Sequence, residues 1–421
     1  MTQPGLARRL GTLDAVIIGL GSMLGAGVFA AFSPAARAAG AGLLIGLAVA
    51  ALVAYCNATA SAQLAAQYPT SGGTYIYGRE RLGPWWGFLA GWGFVVGKIA
   101  SCAAMALTFA AYVAPRGWER PIAVAAVIIL ATVNYHGVTR TAGLTKIIII
   151  IVLAALALVV AAPLSGNTAT SVRSWDLLAG GWYGILQSAG LLFFAFAGYA
   201  RIATMGEEVR DPERIIPRAI LTALTITVSI YLVVAASILV VLGPAGVAAS
   251  PAPLAAAVDA VGWAWASVPV RLGAAAAALG ALLALIAGLG RTTLAMARHG
   301  DLPGWLAAVH ERHQVPHHAE ITVAGLVCVL IMLTDLPDAI GFSSFGVLIY
   351  YLIANVSAYT QSSDRRRYPR ILQIVGMAGC STLVLTLPLK AVLGGGVVFA
   401  AGIVYRAIRM RFDRTSMQPL E

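Results

Sequence analysis

Charge is what this sequence has least of. Only 11% of its 421 residues are charged, 28 basic and 17 acidic, against 59% hydrophobic residues. The mean hydropathy is +0.84. That shortage excludes an ordinary soluble globular domain, whose charged share is near a quarter. Cysteine is nearly as scarce: Cys56, Cys102, Cys328 and Cys380 all lie inside apolar runs, which argues against disulfides and a zinc site. There is no phosphate-cradling Gly-Lys-Ser/Thr loop, so direct ATP coupling has no support. No cleavable signal peptide is evident, because the first apolar run is too long and leads into further runs. What is present is a series of continuous apolar stretches about twenty residues long, too long for β-barrel strands. The chain reads as an all-α polytopic membrane protein of about twelve transmembrane helices.

The spans run Leu13–Ala36, Gly42–Ala66, Trp86–Val113, Ile122–Tyr135, Lys146–Ala162, Tyr183–Met205, Ile220–Leu242, Leu272–Ala297, Ala319–Leu333, Ile340–Tyr359, Ile371–Leu387 and Ala391–Ile408. A connection rich in Gly, Pro and Tyr, from Tyr68 to Trp86, is expected to carry a short amphipathic helix. The stretch before Val268 reads as an external segment. With the N-terminus inside, nineteen Lys and Arg residues fall on cytoplasmic segments and six on external ones, with Lys98, Arg201 and Arg291 in or near spans. This bias places both termini in the cytoplasm of a cell membrane, which an even number of spans satisfies. It also accounts for the net charge of +11 without nucleic acid as a partner.

The first span contains Gly19, Gly21, Gly25 and Gly27. Each glycine costs a helix roughly 1 kcal/mol relative to alanine. Freed backbone groups in hydrocarbon are tolerated only beside protein or a polar cavity. Secondary transporters often pair two inverted repeats, each opening with a broken span, with the substrate where the breaks meet. If span one opens a first repeat of five, span six should open the second. Its middle reads Phe193-Phe-Ala-Phe-Ala-Gly-Tyr-Ala-Arg201, interrupted at Ala197–Gly198, and it runs opposite to span one. The expected division is a tail over 1–12, a first inverted repeat over 13–162, an external connection over 163–182, a second repeat over 183–360, and two further helices with a tail over 361–421.

Gly21-Ser-Met-Leu-Gly-Ala-Gly-Val-Phe29 resembles the first-helix signature of the amino acid–polyamine–organocation transporter superfamily. Tyr68-Pro-Thr-Ser-Gly-Gly-Thr-Tyr-Ile-Tyr77 resembles its second-to-third helix connection. Phe194-Ala-Phe-Ala-Gly198, Thr204-Met-Gly-Glu-Glu-Val209 and Asp211-Pro-Glu-Arg-Ile-Ile-Pro-Arg-Ala219 resemble the cationic amino acid transporter branch, as does the loop Ala297-Arg-His-Gly-Asp-Leu-Pro303. The likeness covers nearly the whole chain in order.

An α-amino acid offers a carboxylate and an ammonium, and two broken helices can hold both with backbone alone. The start of the outer half of span one suits the carboxylate, which assigns Gly25, Ala26 and Gly27, with Ser22 nearby. Carbonyls of Met23, Phe194 and Ala197, beside Gly198, suit the ammonium. The resemblance implies the same assignment; the competing reading is glycines that merely allow close helix packing. Phe194 matches the family's gate position, and Phe196 is either a gate or a packing residue.

Lys98 lies near the middle of span three, where an ammonium costs several kcal/mol unless it is paired or neutral. That makes it the candidate coupling residue, able to exchange a proton during transport. Family members with a functional lysine in span five carry it where this chain has Val152; Lys146 comes too early and reads as a snorkelling anchor. At Arg201, cationic-substrate relatives tend to have a small residue preceded by an acidic one, here Ala200. A missing carboxylate and an added guanidinium disfavour cationic substrates. Arg201 is also a candidate to latch the cytoplasmic gate with Glu207 or Glu208. His310, His313, His317 and His318 lack the closed ligand set of a zinc site, so neither metal nor cofactor is expected.

The sequence thus points to a permease, not an enzyme: the spans hold no paired carboxylates or metal motif for catalysis. The expected substrate is an amino acid, neutral in the first place, with a proton as candidate co-substrate. A cationic amino acid or polyamine transporter or exchanger is the alternative, and a channel or non-transporting sensor is the alternative from another class.

Overall fold

The structure is a computed structural model and describes residues 10–69, 72–136, 142–166, 175–205 and 208–416. Every extended element among them is a helix, apart from an isolated parallel bridge between Leu10 and Val209. The first apolar run forms α1 (Thr12–Met23), α2 (Ala26–Ala30) and α3 (Phe32–Ala39). Ala31 keeps helical angles and its N–H bonds Gly27 O, so α2 and α3 act as one half-helix. Then come α4 (Leu43–Gln67), α5 (Thr74–Leu82) and α6 (Pro84–Val113). Gly83, at φ 104°, ends α5, and Pro84 starts α6 where its missing N–H is harmless.

Next are α7 (Glu119–Tyr135), α8 (Ala142–Ala161), α9 (Gly181–Phe196) and α10 (Ala200–Ala203), the last two joined by a 3-10 turn over Ala197–Tyr199. The second half of the chain forms α11 (Pro212–Ala249), α12 (Pro253–Ala260), α13 (Ala264–Arg298), α14 (His317–Leu333), α15 (Leu336–Tyr359), α16 (Arg370–Thr386) and α17 (Leu389–Ser416). Nine helical stretches among the described residues are long and apolar enough to cross a membrane, and α14 and α16 are shorter apolar helices.

Several boundaries differ from the sequence reading: span eight begins at Ala264 rather than Leu272, and the last helix runs on to Ser416. Span seven extends over 38 residues because Pro212 can start a helix, and its kink falls at Gly243 rather than at its end. The stretch before Val268, read as an external segment, contains α12, again opened by a proline, Pro253.

Burial is graded from the middle outwards. The α1–α2 and α9 stretches bury most of their residues, as do α6 and α15. By contrast, α8 turns Ile147 and Ile150 outward, and α17 does the same with Leu393 and Val397, all more than half exposed. Apolar side chains that face outward in bulk belong against lipid. The broken segments are therefore enclosed by α4, α6, α11, α13 and α15, with the inner face of α8 against Gly21, and the bilayer meets the outward faces of the outer helices.

Candidate functional site

The two interruptions lie against each other. A Cβ on Gly27 would fall 2.5 Å from Ala195 Cα, and one on Gly198 would fall 2.7 Å from Met23 N and closer still to Ser22. Any larger residue would drive the two backbones apart. Gly19, earlier in α1, abuts Ile202 beyond the second break. Contacts thus ascend in one segment as they descend in the other, so the two broken helices run antiparallel. Gly25 abuts Ala281, which brings α13 to the same point.

The freed carbonyls have named donors. Tyr231 of α11 donates its hydroxyl to Met23 O at 2.5 Å, and Ala195 O lies 3.1 Å from the same oxygen. Phe194 O accepts the Ala197 N–H, which closes the 3-10 turn. Ala197 O has Lys98 Nζ and the Tyr351 hydroxyl each 3.5 Å away. Tyr112 donates to Phe29 O at 3.0 Å. Buried backbone oxygens away from water need such partners; Met23 O and Phe194 O are each given one here, whereas Ala197 O has two. The first half-helix beyond the break starts at Gly25 without a side-chain cap. Ser22 directs its hydroxyl back to Ile18 O at 2.9 Å.

Lys98 is 6% exposed and lies with its ammonium 6.0 Å from the Phe94 ring centre. No carboxylate among the described residues forms an ion pair with it. Phe194 is 6% exposed at the break, whereas Phe196 is fully buried with its ring 5.2 Å from that of Tyr231. Phe196 therefore occupies a packing position in this conformation. Arg201 Nη2 lies 3.7 Å from Glu208 Oε1, both side chains about one-third exposed. Glu207 lies outside the described residues. Leu10 N donates to Glu208 O, and Arg210 N donates to Leu10 O, so the segment before α1 is tied to the one after α10.

Lys146 lies 3.5 Å from Asp14 of α1, so the residue read as an anchor also has an ion partner. His310, His313 and His136 gather around Tyr135. No group of three or more His, Cys, Asp or Glu among the described residues is placed to hold a metal ion. Partial desolvation, followed by His310, His136 and Arg312, holds the His313 imidazole below its ordinary value. A cavity of about 310 Å³ lined by Val124, Cys328, Val329, Met332 and Leu333 opens between α7 and α14, and none of its lining residues belongs to either break.

Sequence reasoning missed one buried constellation. Asp301 accepts from Arg406 Nη1 at 2.6 Å and from the Tyr75 hydroxyl at 2.8 Å, with Arg79 at 3.5 Å. Arg406 also lies over the rings of Trp85 and Phe88, 5.0 and 4.7 Å from their centres. The signal that could have found it was Arg406 at the end of an apolar run, since such a cation asks for a partner. Tyr231 and Tyr351 were missed too; a tyrosine within an apolar run must place its hydroxyl.

The amino acid permease family model matches residues 10–407, and the chain belongs to that family. It is therefore a multi-pass membrane transporter and not an enzyme. An uncharacterised transporter of Mycobacterium tuberculosis is 56% identical over 413 residues, covering 98% of this chain and 94% of that protein. The branched-chain amino acid permease BcaP of Bacillus subtilis is 24% identical, covering 94% of this chain and 90% of that protein. Human cationic amino acid transporter 4 is 27% identical, covering 84% of this chain and 60% of that protein.

Proposed function

We propose that this permease moves neutral amino acids across the cytoplasmic membrane by alternating access, as a secondary active transporter with the proton as co-substrate. The observation that carries this reading is the antiparallel cross-packing of the breaks at Gly27–Ala195 and Gly198–Met23. It supports two inverted repeats, over 13–162 and 183–360, with the substrate at their meeting point. The N–H groups at Gly25, Ala26 and Gly27 receive the carboxylate, with Ser22 beside them. The ammonium takes the remaining lone pairs of the Met23 and Phe194 carbonyls, beside Gly198, while Lys98 and Tyr351 hold the Ala197 carbonyl. Phe194 closes over the substrate, and Phe196 supports it. Arg201 with Glu208 latches the cytoplasmic end, with Glu207 next to it. Lys98 exchanges the coupled proton. The charge bias of the sequence supports both termini in the cytoplasm.

Neutral substrates fit because Ala197–Ala203 carries no carboxylate, while Lys98 and Arg201 bring positive charge. The similarity to a branched-chain amino acid permease agrees with this. The similarity to cationic amino acid transporters favours the second reading, a cationic substrate. Uptake of labelled leucine and lysine into proteoliposomes, with and without an imposed pH gradient, separates the two. Leucine accumulation driven by an inward proton gradient is expected. If no amino acid is transported or bound, the reading is wrong; if lysine outcompetes leucine, the second reading replaces it.

A further inference from the structure

We propose that Lys98 sets the charge selectivity of this permease, acting as a built-in cation that holds the span-six carbonyl and shuts out substrates with cationic side chains. The proposal rests on reading the two breaks as the amino acid site. Its basis is the position of the ammonium. Gly97 and Ser101 lie one turn apart on the α6 face that meets α15. A Cβ on Gly97 would fall 3.1 Å from Ser343 O, and Ser101 Oγ lies 2.6 Å from Ser343 Oγ. With α6 clamped there, Lys98 is rotated off the α15 contact and reaches Ala197 O, the carbonyl at the second break.

A lysine ammonium and a substrate amine make the same kind of contact with a carbonyl. Lys98 therefore already occupies one position that an added cationic group would seek. No carboxylate among the described residues offsets its charge: the ionisable neighbour on its own helix is Cys102, and Tyr351 approaches from α15 with a neutral hydroxyl. Arg201 differs in both respects. Its side chain is about one-third exposed and has a carboxylate, Glu208, 3.7 Å away, with Arg291 as a further cation beside it. Of Lys98, Arg201 and Arg291, Lys98 is the one buried against the second break with no ion partner among the described residues. A second positive charge about 6 Å from it, in surroundings of intermediate dielectric, is disfavoured by about 100-fold. The α-ammonium of any amino acid carries its own carboxylate as a counter-charge, so a neutral amino acid largely escapes this exclusion.

The test is leucine counterflow in proteoliposomes without a pH gradient, which removes any coupling role of Lys98 from the readout. Competition by lysine and arginine is measured against competition by unlabelled leucine. The wild type is expected to discriminate against both cationic amino acids, and Lys98→Met and Lys98→Gln to narrow that discrimination by about 100-fold. Lys98→Arg should keep it, and Arg201→Gln should change it far less. Thermal stabilisation of the purified variants by leucine and by lysine reads the same ratio without requiring transport. The proposal is overturned if Lys98→Met and Lys98→Gln keep the wild-type ratio, or if Lys98→Arg loses it as fully as they do. A wild type that neither moves nor binds any amino acid would instead defeat the reading of the site itself.

Discussion

Two cations are buried to the same degree in this permease and are treated in opposite ways. Lys98 and Arg406 are each 6% exposed. Arg406 meets Asp301 at 2.6 Å and covers two aromatic rings, and Tyr75 adds a hydrogen bond to the same carboxylate. Lys98 has a carbonyl at 3.5 Å and a ring at 6.0 Å. A buried charge with a well-bonded counter-ion holds elements together: here Asp301, in the loop after α13, joins α5 to α17. A buried charge without one gains little stability from its surroundings. Its retention is the default mark of function within a membrane segment. The difference, more than burial, sets the structural cation Arg406 apart from Lys98, the one proposed to act in transport.

The largest effect should come from breaking the paired cation. Asp301→Asn leaves Arg406 buried without its counter-charge and should cost about 3–5 kcal/mol of stability. Thermal and denaturant unfolding in detergent would measure it, and the double variant Asp301→Asn/Arg406→Met should recover much of the loss. Lys98→Met should behave in the opposite way, with stability unchanged or raised, because removing an unpaired buried charge relieves its desolvation. If Lys98→Met lowered stability as much as Asp301→Asn, the contrast between the two cations would collapse.

Tyr231→Phe tests the bond between the breaks. Loss of the hydroxyl near both Met23 O and Ala195 O should cost about 1–2 kcal/mol, and leucine affinity in the same variant should fall with it. Arg201→Gln should have the smallest effect on stability, under about 1 kcal/mol, since its pair with Glu208 is solvated. A clear change in transport rate at unchanged stability would assign that pair to gating.

Much of the architecture was legible in the residues. Glycines inside an apolar run and the Ala197–Gly198 interruption identified both broken helices, because helix propensity and hydrocarbon solvation act locally. Those two breaks are where the structure departs from regular α-helix in α1–α3 and in α9–α10. The donors were not legible. Three carbonyls expected to face an ammonium already have partners, from Tyr231, from Lys98 with Tyr351, and from the turn itself. Asp301 read as one polar residue in a loop, and Arg406 as one of several cytoplasmic charges. Nothing near either in sequence names the other, since 105 positions separate them.

By itself the sequence determined the class of protein, its succession of apolar runs, and the two places where the backbone gives way. Each of these follows from properties summed over a few neighbouring residues. Only the tertiary structure decided which residues of the two breaks abut, which donors fill their carbonyls, and which of two equally buried cations has a counter-ion. Those outcomes depend on approaches of a few ångströms between segments far apart in the chain, and a hydrogen bond or an ion pair has no energy until that distance is closed.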